Sequence, residues 1–226
     1  MIRILYEDTS VIVIEKPAGL ATQSANILQS DCVSLIKEHI RRTDPKAKSE
    51  PYVGVVHRLD QPVAGILVFA KDKQAAAILS KQVRDDVINK HYRALVEGIV
   101  DVSSDTMLTD RMYKDSAGRK AVVLDEKDAP NLPNGIKVQE AKLIYRTESI
   151  LKDRNMTILS IDLITGRFHQ IRAQLSHMGH PIVGDGKYRA ETVYPAGIAL
   201  VADRLEFIHP LSGEKVEKIV DFSFCL

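Results

Sequence analysis

The stretch His57-Arg58-Leu59-Asp60-Gln61-Pro62-Val63-Ala64-Gly65 is a polar cluster between two apolar runs, one around Val55 and one around Leu67. Polar groups in such a setting need hydrogen-bonding partners, because burying them unpaired is costly. The stretch alone has two interpretations. Either Asp60 starts a turn with Arg58 on the surface, since Asp and Pro together often mark turns, or both residues belong to a functional site.

Strand patterns dominate the chain on both sides of this stretch. Apolar runs or period-two alternation predict strands at residues 11–16, 65–70, 92–98 and 159–163. Turn residues between strand-like runs predict a basic hairpin at 107–123, around Gly118, and a terminal hairpin at 208–214. Short strands joined mostly by turns indicate a mainly antiparallel sheet.

Helices are expected between some of these strands. Apolar spacing predicts one from Asp31 to Ile40, and Asp72 is the expected N-cap of a second that ends near Asp86. In a third, the helical period places Arg172 away from the apolar side. The whole pattern predicts an α+β fold, with a mixed, mainly antiparallel sheet flanked by helices, in one domain over residues 1–226.

Composition narrows the class of protein. The 226 residues are 45% hydrophobic, enough for a substantial core, and carry a net charge of only +1, so a nucleic-acid partner needs a local basic patch. The two cysteines, Cys32 and Cys225, are too few for a disulfide framework or a metal site and indicate a cytoplasmic protein. The first residues reach Glu7 and Asp8 without a long apolar run, so neither a signal peptide nor a membrane span is expected.

A second polar stretch, Thr165-Gly166-Arg167-Phe168-His169-Gln170-Ile171-Arg172, lies at a predicted strand-to-helix junction. Such a junction can hold an anion, because backbone N–H groups point out of the first helical turn. The alternative is a solvated helix start with Arg172 in an ordinary surface ion pair, which would contribute little to stability.

Together the two stretches resemble the RluA family of pseudouridine synthases, which carry a His-Arg-Leu-Asp motif. Further similar segments follow in the family's order along essentially the whole chain: residues 5–8, 16–20, 92–98, 179–185 and 207–210. The resemblance implies the catalytic fold of that family, with an active-site cleft across the sheet. In one departure from many relatives, no N-terminal S4-type RNA-binding domain is expected before Ile4, so that target recognition is expected to rest on the catalytic domain.

The activity that the resemblance implies is the isomerisation of specific uridines in structured RNA, tRNA or rRNA, to pseudouridine without a cofactor or a metal. Asp60 is then the essential carboxylate, acting either as a nucleophile at the ribose or as a base. Arg172 either keeps that carboxylate ionised or binds only a phosphate. Tyr92 is the residue expected to stack on the base and to help remove its C5 proton.

The resemblance also implies an RNA-binding surface. The everted uridine must leave the RNA stack, and Arg58 is expected to fill the vacancy. The full set of expected substrate-binding residues is His57, Arg58, Leu59, Arg167, His169, Gln170, Arg111 and Arg119, and further basic residues expected along the RNA path include Lys114 and Lys120. RNA is the expected partner, with neither DNA nor a membrane, and the protein is expected to be a monomer.

Some positions depart from the family pattern, and two other functions compete. Val63 and Ala64 replace the usual Thr-Ser, and Phe168 stands where a small hydroxyl residue is common. A non-catalytic RNA-binding protein would be favoured if Asp60 were absent. A carboxylate-dependent hydrolase of nucleosides or glycosides would need two paired acids, whereas the matched motif contains one.

Overall fold

The computed structural model describes residues 2–26, 28–44, 49–125 and 135–225. It shows an α+β fold with mixed, mainly antiparallel strand pairing and three α-helices in the described part of the chain, which confirms the expected fold class. The chain divides into two compact units, the first formed by Met1–Lys90 with Val201–Ser223 and the second by His91–Leu200 with Phe224–Leu226. A single domain over 1–226 and a cleft across its sheet remain predictions.

The strands of the first unit are arranged around β4, and their bounds are β1 (Arg3–Glu7), β2 (Val11–Lys16), β3 (Gly54–Val55), β4 (Ala64–Ala70), β10 (Leu200–Ile208) and β11 (Lys215–Ile219). β1 and β2 pair antiparallel, and β2 pairs antiparallel with residues 65–70 of β4. β10 runs parallel to the first residues of β4, whereas β3 is antiparallel to its last two. β11 completes the predicted terminal hairpin with β10.

Two helices of the first unit begin at the aspartates that the sequence indicates. α1 (Cys32–Thr43) has Asp31 as N-cap, in a capping box with Ser34, and α2 (Lys73–Arg84) has Asp72. Each carboxylate accepts a backbone N–H of the first turn, which would otherwise lack a partner. Leu79 of α2 is fully buried in the core under β4. α1 runs three residues beyond the predicted end, and α2 ends two residues before it.

The second unit contains an antiparallel sheet in the order β5-β9-β8-β6-β7, with strands β5 (Asn89–Glu97), β6 (Thr106–Asp115), β7 (Lys120–Val123), β8 (Gln139–Leu151) and β9 (Met156–Leu163). β6 and β7 form the predicted hairpin, whose turn ends at Arg119 in the left-handed region. β9 pairs with β5 on one side and with β8 on the other. The strand predictions at 92–98 and 159–163 are therefore confirmed.

The third helix, α3 (Gln170–His177), is more buried than its sequence suggests. Gln170, Arg172 and Gln174 are all at most 5% exposed, although the helical period predicts a polar side for Arg172. The polar side is covered because other segments supply partners there: the Ser176 hydroxyl, for example, donates to the Tyr188 carbonyl at 2.7 Å. In the described ranges of the chain, no helix has the length and apolar character that a membrane crossing requires.

Candidate active site

Asp60 lies in the loop between β3 and β4, in the first unit. Its carbonyl accepts the Val63 N–H at 3.0 Å, so the expected turn at Asp-Gln-Pro is confirmed. The side chain of Asp60 is half-buried, whereas Arg58 is exposed and Leu59 is buried. The turn and the functional-site interpretations are therefore compatible, because the turn fixes the backbone while Asp60 stays partly exposed.

Thr22 fixes the residue before Asp60. Its hydroxyl donates to the Leu59 carbonyl at 3.0 Å and accepts the Leu59 N–H at 3.2 Å. Thr22 and Leu59 are only 3% and 7% exposed. One side chain thus satisfies both backbone groups of a buried residue that has left the sheet, which is what a loop of defined conformation requires.

Lys16 fixes the residue after Asp60. The side chain is fully buried, and its Nζ donates to the carbonyls of Pro17, Leu20 and Gln61 at 3.0, 2.7 and 3.1 Å. Gln61 also exchanges two hydrogen bonds with the Gly19 backbone, at 2.8 and 2.9 Å. The ammonium therefore ties the turn after β2 to the Asp60 loop.

The charge of Lys16 is also part of the site. Burial lowers its pKa to about 8, while the nearby Cys32 side chain and the negative charge of Asp60 act in the opposite direction. Lys16 is thus a cation that attracts the Asp60 carboxylate within the first unit. Sequence reasoning did not select it as a site residue, although a lysine that directly ends an apolar strand is a signal that could have done so.

His57 is held against β4. The backbone N–H of Val68 donates to its Nε2 at 3.1 Å, which places the ring proton on Nδ1. The residue keeps some exposed surface, but its ring is enclosed, and this desolvation, followed by the positive charge of Lys90, lowers the pKa of His57 to about 3. His57 is therefore neutral at physiological pH, and its contact with substrate remains a prediction.

In the second unit, the predicted anion-binding junction is stabilised by hydrogen bonds among its own residues. Gln170 is buried, and its side-chain oxygen accepts from Thr165 Oγ1 at 2.8 Å and from the Arg167 N–H at 3.0 Å. Its amide nitrogen donates to the Lys142 carbonyl at 3.1 Å. The Gln170 amide thus ties the junction to β8, while the Arg167 guanidinium donates through Nε to the Glu140 carbonyl.

Arg172 forms a buried ion pair with Asp185. Its Nε and one terminal nitrogen donate to the two carboxylate oxygens at 2.6 and 2.8 Å, and the side chains are 6% and 2% exposed. The guanidinium carbon also lies 5.1 Å from the centre of the Tyr188 ring. The alternative of an ordinary surface pair is therefore wrong, because the pair is desolvated and bidentate. Asp185 was not selected from sequence, since it lies in a loop 13 residues along the chain.

The remaining predicted residues of the second unit lie in three places. Tyr92 is 6% exposed on β5, opposite Ile161 of β9. Arg111 and Arg119 are exposed on the β6–β7 hairpin, Arg119 in its turn. His169 precedes α3, with its Nδ1 3.0 Å from the Tyr188 hydroxyl. The structure thus brings His169, Tyr188 and Arg172 together, whereas a site that combines them with Asp60 remains a prediction.

Sequence comparison identifies the family. The family model described as RNA pseudouridylate synthase matches residues 10–177, a span that includes Lys16, Asp60, Tyr92 and Arg172. The chain belongs to the RNA pseudouridylate synthase family. The match covers the Asp60 loop and the junction before α3, whereas Asp185 and Tyr188 lie beyond its end.

Individual pseudouridylate synthases agree with this assignment. Ribosomal large subunit pseudouridine synthase D of Xanthomonas campestris pv. campestris is 34% identical, over 95% of this chain and 64% of that protein. Ribosomal large subunit pseudouridine synthase C of Buchnera aphidicola subsp. Acyrthosiphon pisum is 30% identical, over 95% and 65%. These matches confirm the RluA type, although this chain spans less than two thirds of the length of either protein.

A solved pseudouridylate synthase structure shares the fold. Human RNA pseudouridylate synthase domain containing 4 matches with a TM-score of 0.71 over 98% of this chain and 88% of that chain. The identity is only 22%, so the likeness concerns the fold alone. The structural comparison therefore agrees with the α+β fold, and the family assignment rests on the sequence matches.

The pKa of His57 predicts how the stability of this chain depends on pH. Below pH 6.5 the unfolded chain protonates this histidine while the folded chain does not, so His57 makes stability fall as the pH drops towards 3. Urea unfolding should show that the free energy of unfolding of wild type, relative to His57→Gln, falls by about 2 kcal/mol between pH 7.5 and pH 5. Parallel pH profiles of the two proteins would contradict an enclosed, neutral ring.

Because the Arg172–Asp185 pair is buried, replacing its carboxylate should cause a large loss of stability. Asp185→Asn leaves the buried guanidinium without its carboxylate and should lower the free energy of unfolding by about 3 kcal/mol in denaturant titrations. The matched control is Asp105→Asn, which removes the partner of Arg146 in an exposed pair of the same unit and should cost less than about 1 kcal/mol. Equal losses in both variants would show that burial does not strengthen the pair.

Proposed function

We propose that this chain isomerises uridine in RNA to pseudouridine, with Asp60 as the essential carboxylate. The observation that carries this proposal is the Asp60 loop, in which Thr22 and Lys16 fix the neighbouring backbone and leave a half-buried carboxylate beside a buried cation. Membership of the RNA pseudouridylate synthase family supplies the reaction that such a carboxylate performs.

The reaction conserves atoms and electrons, so the chain needs no redox partner for it. The bond between N1 of uracil and C1′ of ribose breaks, the base turns, and a bond between C5 and C1′ forms. The proton on C5 is lost and N1 regains a proton. Asp60 acts at the ribose, as a nucleophile or as a base, and both roles require an ionised carboxylate.

Three residues of the second unit are assigned supporting roles. Asp185 engages one edge of the Arg172 guanidinium and so sets its orientation. We assign Arg172 to a second anion, either the Asp60 carboxylate or an RNA phosphate, because the fork of donors on a guanidinium serves two anions well. Tyr92 offers a flat ring for the detached uracil and a hydroxyl for transfer of the C5 proton.

The substrate is structured RNA. Uridine is reached by eversion from the stack, with the exposed Arg58 filling the vacancy and the hairpin residues Arg111 and Arg119 contacting phosphate. The names of the bacterial relatives favour RNA of the large ribosomal subunit over tRNA as the first target to test. A monomeric protein that acts in the cytoplasm as one domain belongs to the same proposal.

The proposal is tested by mapping pseudouridine in cellular RNA from cells with and without the gene. At least one pseudouridine should vanish on deletion and return on expression of wild type. It should not return with Asp60→Asn, which keeps the side-chain volume and removes the charge. Asp85→Asn, at the exposed C-cap of α2, is the matched control and should restore the site. An unchanged map after deletion, or restoration by Asp60→Asn, would contradict the proposal.

A further inference from the structure

Phe168 is an exposed aromatic side chain at the start of α3. All five phenylalanines lie in the described residues, and Phe168 alone among them is a large exposed apolar side chain, at 38% exposure. The resemblance to the family leads us to expect a small hydroxyl residue at this position. At a position where the family favours a hydroxyl, this side chain presents a flat apolar face that is accessible to a ligand.

The ring of Phe168 is held in a defined orientation by His169. The two rings are stacked with centroids 3.8 Å apart and planes inclined by 20°. His169 has a φ of 52°, which is uncommon for a residue with a side chain, so the backbone turns sharply there to allow the stack. His169 Nδ1 in turn lies 3.0 Å from the hydroxyl of the buried Tyr188. The exposed ring therefore rests on a support that reaches into the core.

The same support reaches Arg172, one of the predicted catalytic residues. The Tyr188 hydroxyl accepts the Ala121 N–H of β7 at 2.7 Å, and the Tyr188 ring lies beside the Arg172 guanidinium. Phe168, His169, Tyr188 and Arg172 thus form a continuous set of contacts from the surface to the buried ion pair. A ligand that binds Phe168 is consequently positioned relative to Arg172.

A lysine accompanies the exposed ring. Lys114 of β6 lies with its Nζ 4.9 Å from the centre of the Phe168 ring and is itself exposed. An aromatic face combined with a flexible cation is the arrangement that binds single-stranded nucleic acid, because the base stacks and the ammonium contacts the phosphate. A lysine side chain is mobile enough to move from the ring to a phosphate when a base arrives.

We propose that Phe168 is a stacking platform for an unpaired base of the RNA substrate, with Lys114 contacting an adjacent phosphate. This inference rests on the proposed function, since it takes RNA as the ligand, and it adds a contact to a base other than the reacting uracil. The simpler explanation is that Phe168 only shields the His169–Tyr188 contact from water. The two explanations differ in whether RNA changes the environment of the ring.

Fluorescence of a single tryptophan distinguishes them. The chain contains no tryptophan, so Phe168→Trp introduces one reporter at the platform. Titration with a uridine-containing RNA hairpin should quench its emission at the concentrations at which filter binding shows complex formation. The matched control is Val193→Trp, at a position of the same unit that is 87% exposed and follows Glu191 and Thr192 rather than basic residues. Its emission should change little.

Kinetics with the same RNA provide the second measurement. Phe168→Ala should raise KM by about five- to a hundredfold, the effect expected for loss of one stacked base, with kcat retained. Phe168→Trp should keep KM close to that of wild type, because a larger ring preserves stacking. Lys114→Met should make the plot of log binding constant against log salt concentration less steep by about one unit of slope. That change is expected for the loss of one phosphate contact.

The outcomes separate this inference from the proposed function. If wild type binds and modifies the RNA while the emission of Phe168→Trp stays constant and Phe168→Ala keeps its KM, the platform is wrong and the activity stands. If wild type neither binds nor modifies any RNA, both the stacking platform and the proposed function are wrong. Loss of thermal stability in Phe168→Ala without a change in KM would assign the ring to shielding alone and would also overturn the inference.

Discussion

The buried ammonium of Lys16 is the interaction on which the candidate site depends. A loop that leaves a sheet loses the regular partners of its backbone, and each buried carbonyl must then find a donor elsewhere. Lys16 supplies donors to three carbonyls, one of them on the residue after Asp60, and Thr22 satisfies the residue before it. The position of the carboxylate thus follows from backbone hydrogen bonds on both sides of it.

The second unit also contains a buried cation, the guanidinium of Arg172. Arg172 is almost fully buried, and removing a charge from water is costly unless a counter-ion and good geometry compensate. Asp185 provides both through two hydrogen bonds, and Tyr188 lies beside the pair. Each unit therefore keeps one cation in a fixed place by contacts within that unit. Fixed charges of this kind can stabilise reacting groups without rearranging when the reaction occurs.

Much of the fold follows from local sequence patterns, whereas the partners within the site do not. Asp72 caps α2 as expected, because an aspartate before a helical period is a local signal, and the alternation at Leu159 and Ile161 correctly indicates β9. The pairing of Arg172 with Asp185 is not local. The helical period correctly separates Arg172 from the apolar side of α3, but it contains no information about which loop covers that side.

The resemblance to the family located Asp60, Tyr92 and Arg172, but the structure was needed to find what holds them. Lys16 and Asp185 were visible in the sequence within similar segments, yet only coordinates show that one is fully buried and that the other faces a guanidinium. Gln170 was expected to contact substrate, and its amide is engaged in tying the Arg167 junction to β8. Long-range contacts of this kind leave no periodic trace in the sequence.

The central claim is that the Asp60 carboxylate performs the chemistry. The most direct measurement is single-turnover release of tritium from RNA labelled at C5 of uridine, with purified protein in excess over RNA. Asp60→Asn should bind the RNA as wild type does and release no tritium above the rate without enzyme. Release by Asp60→Asn at the wild-type rate would contradict the account, because the reaction would then proceed without the charged oxygen that the loop positions.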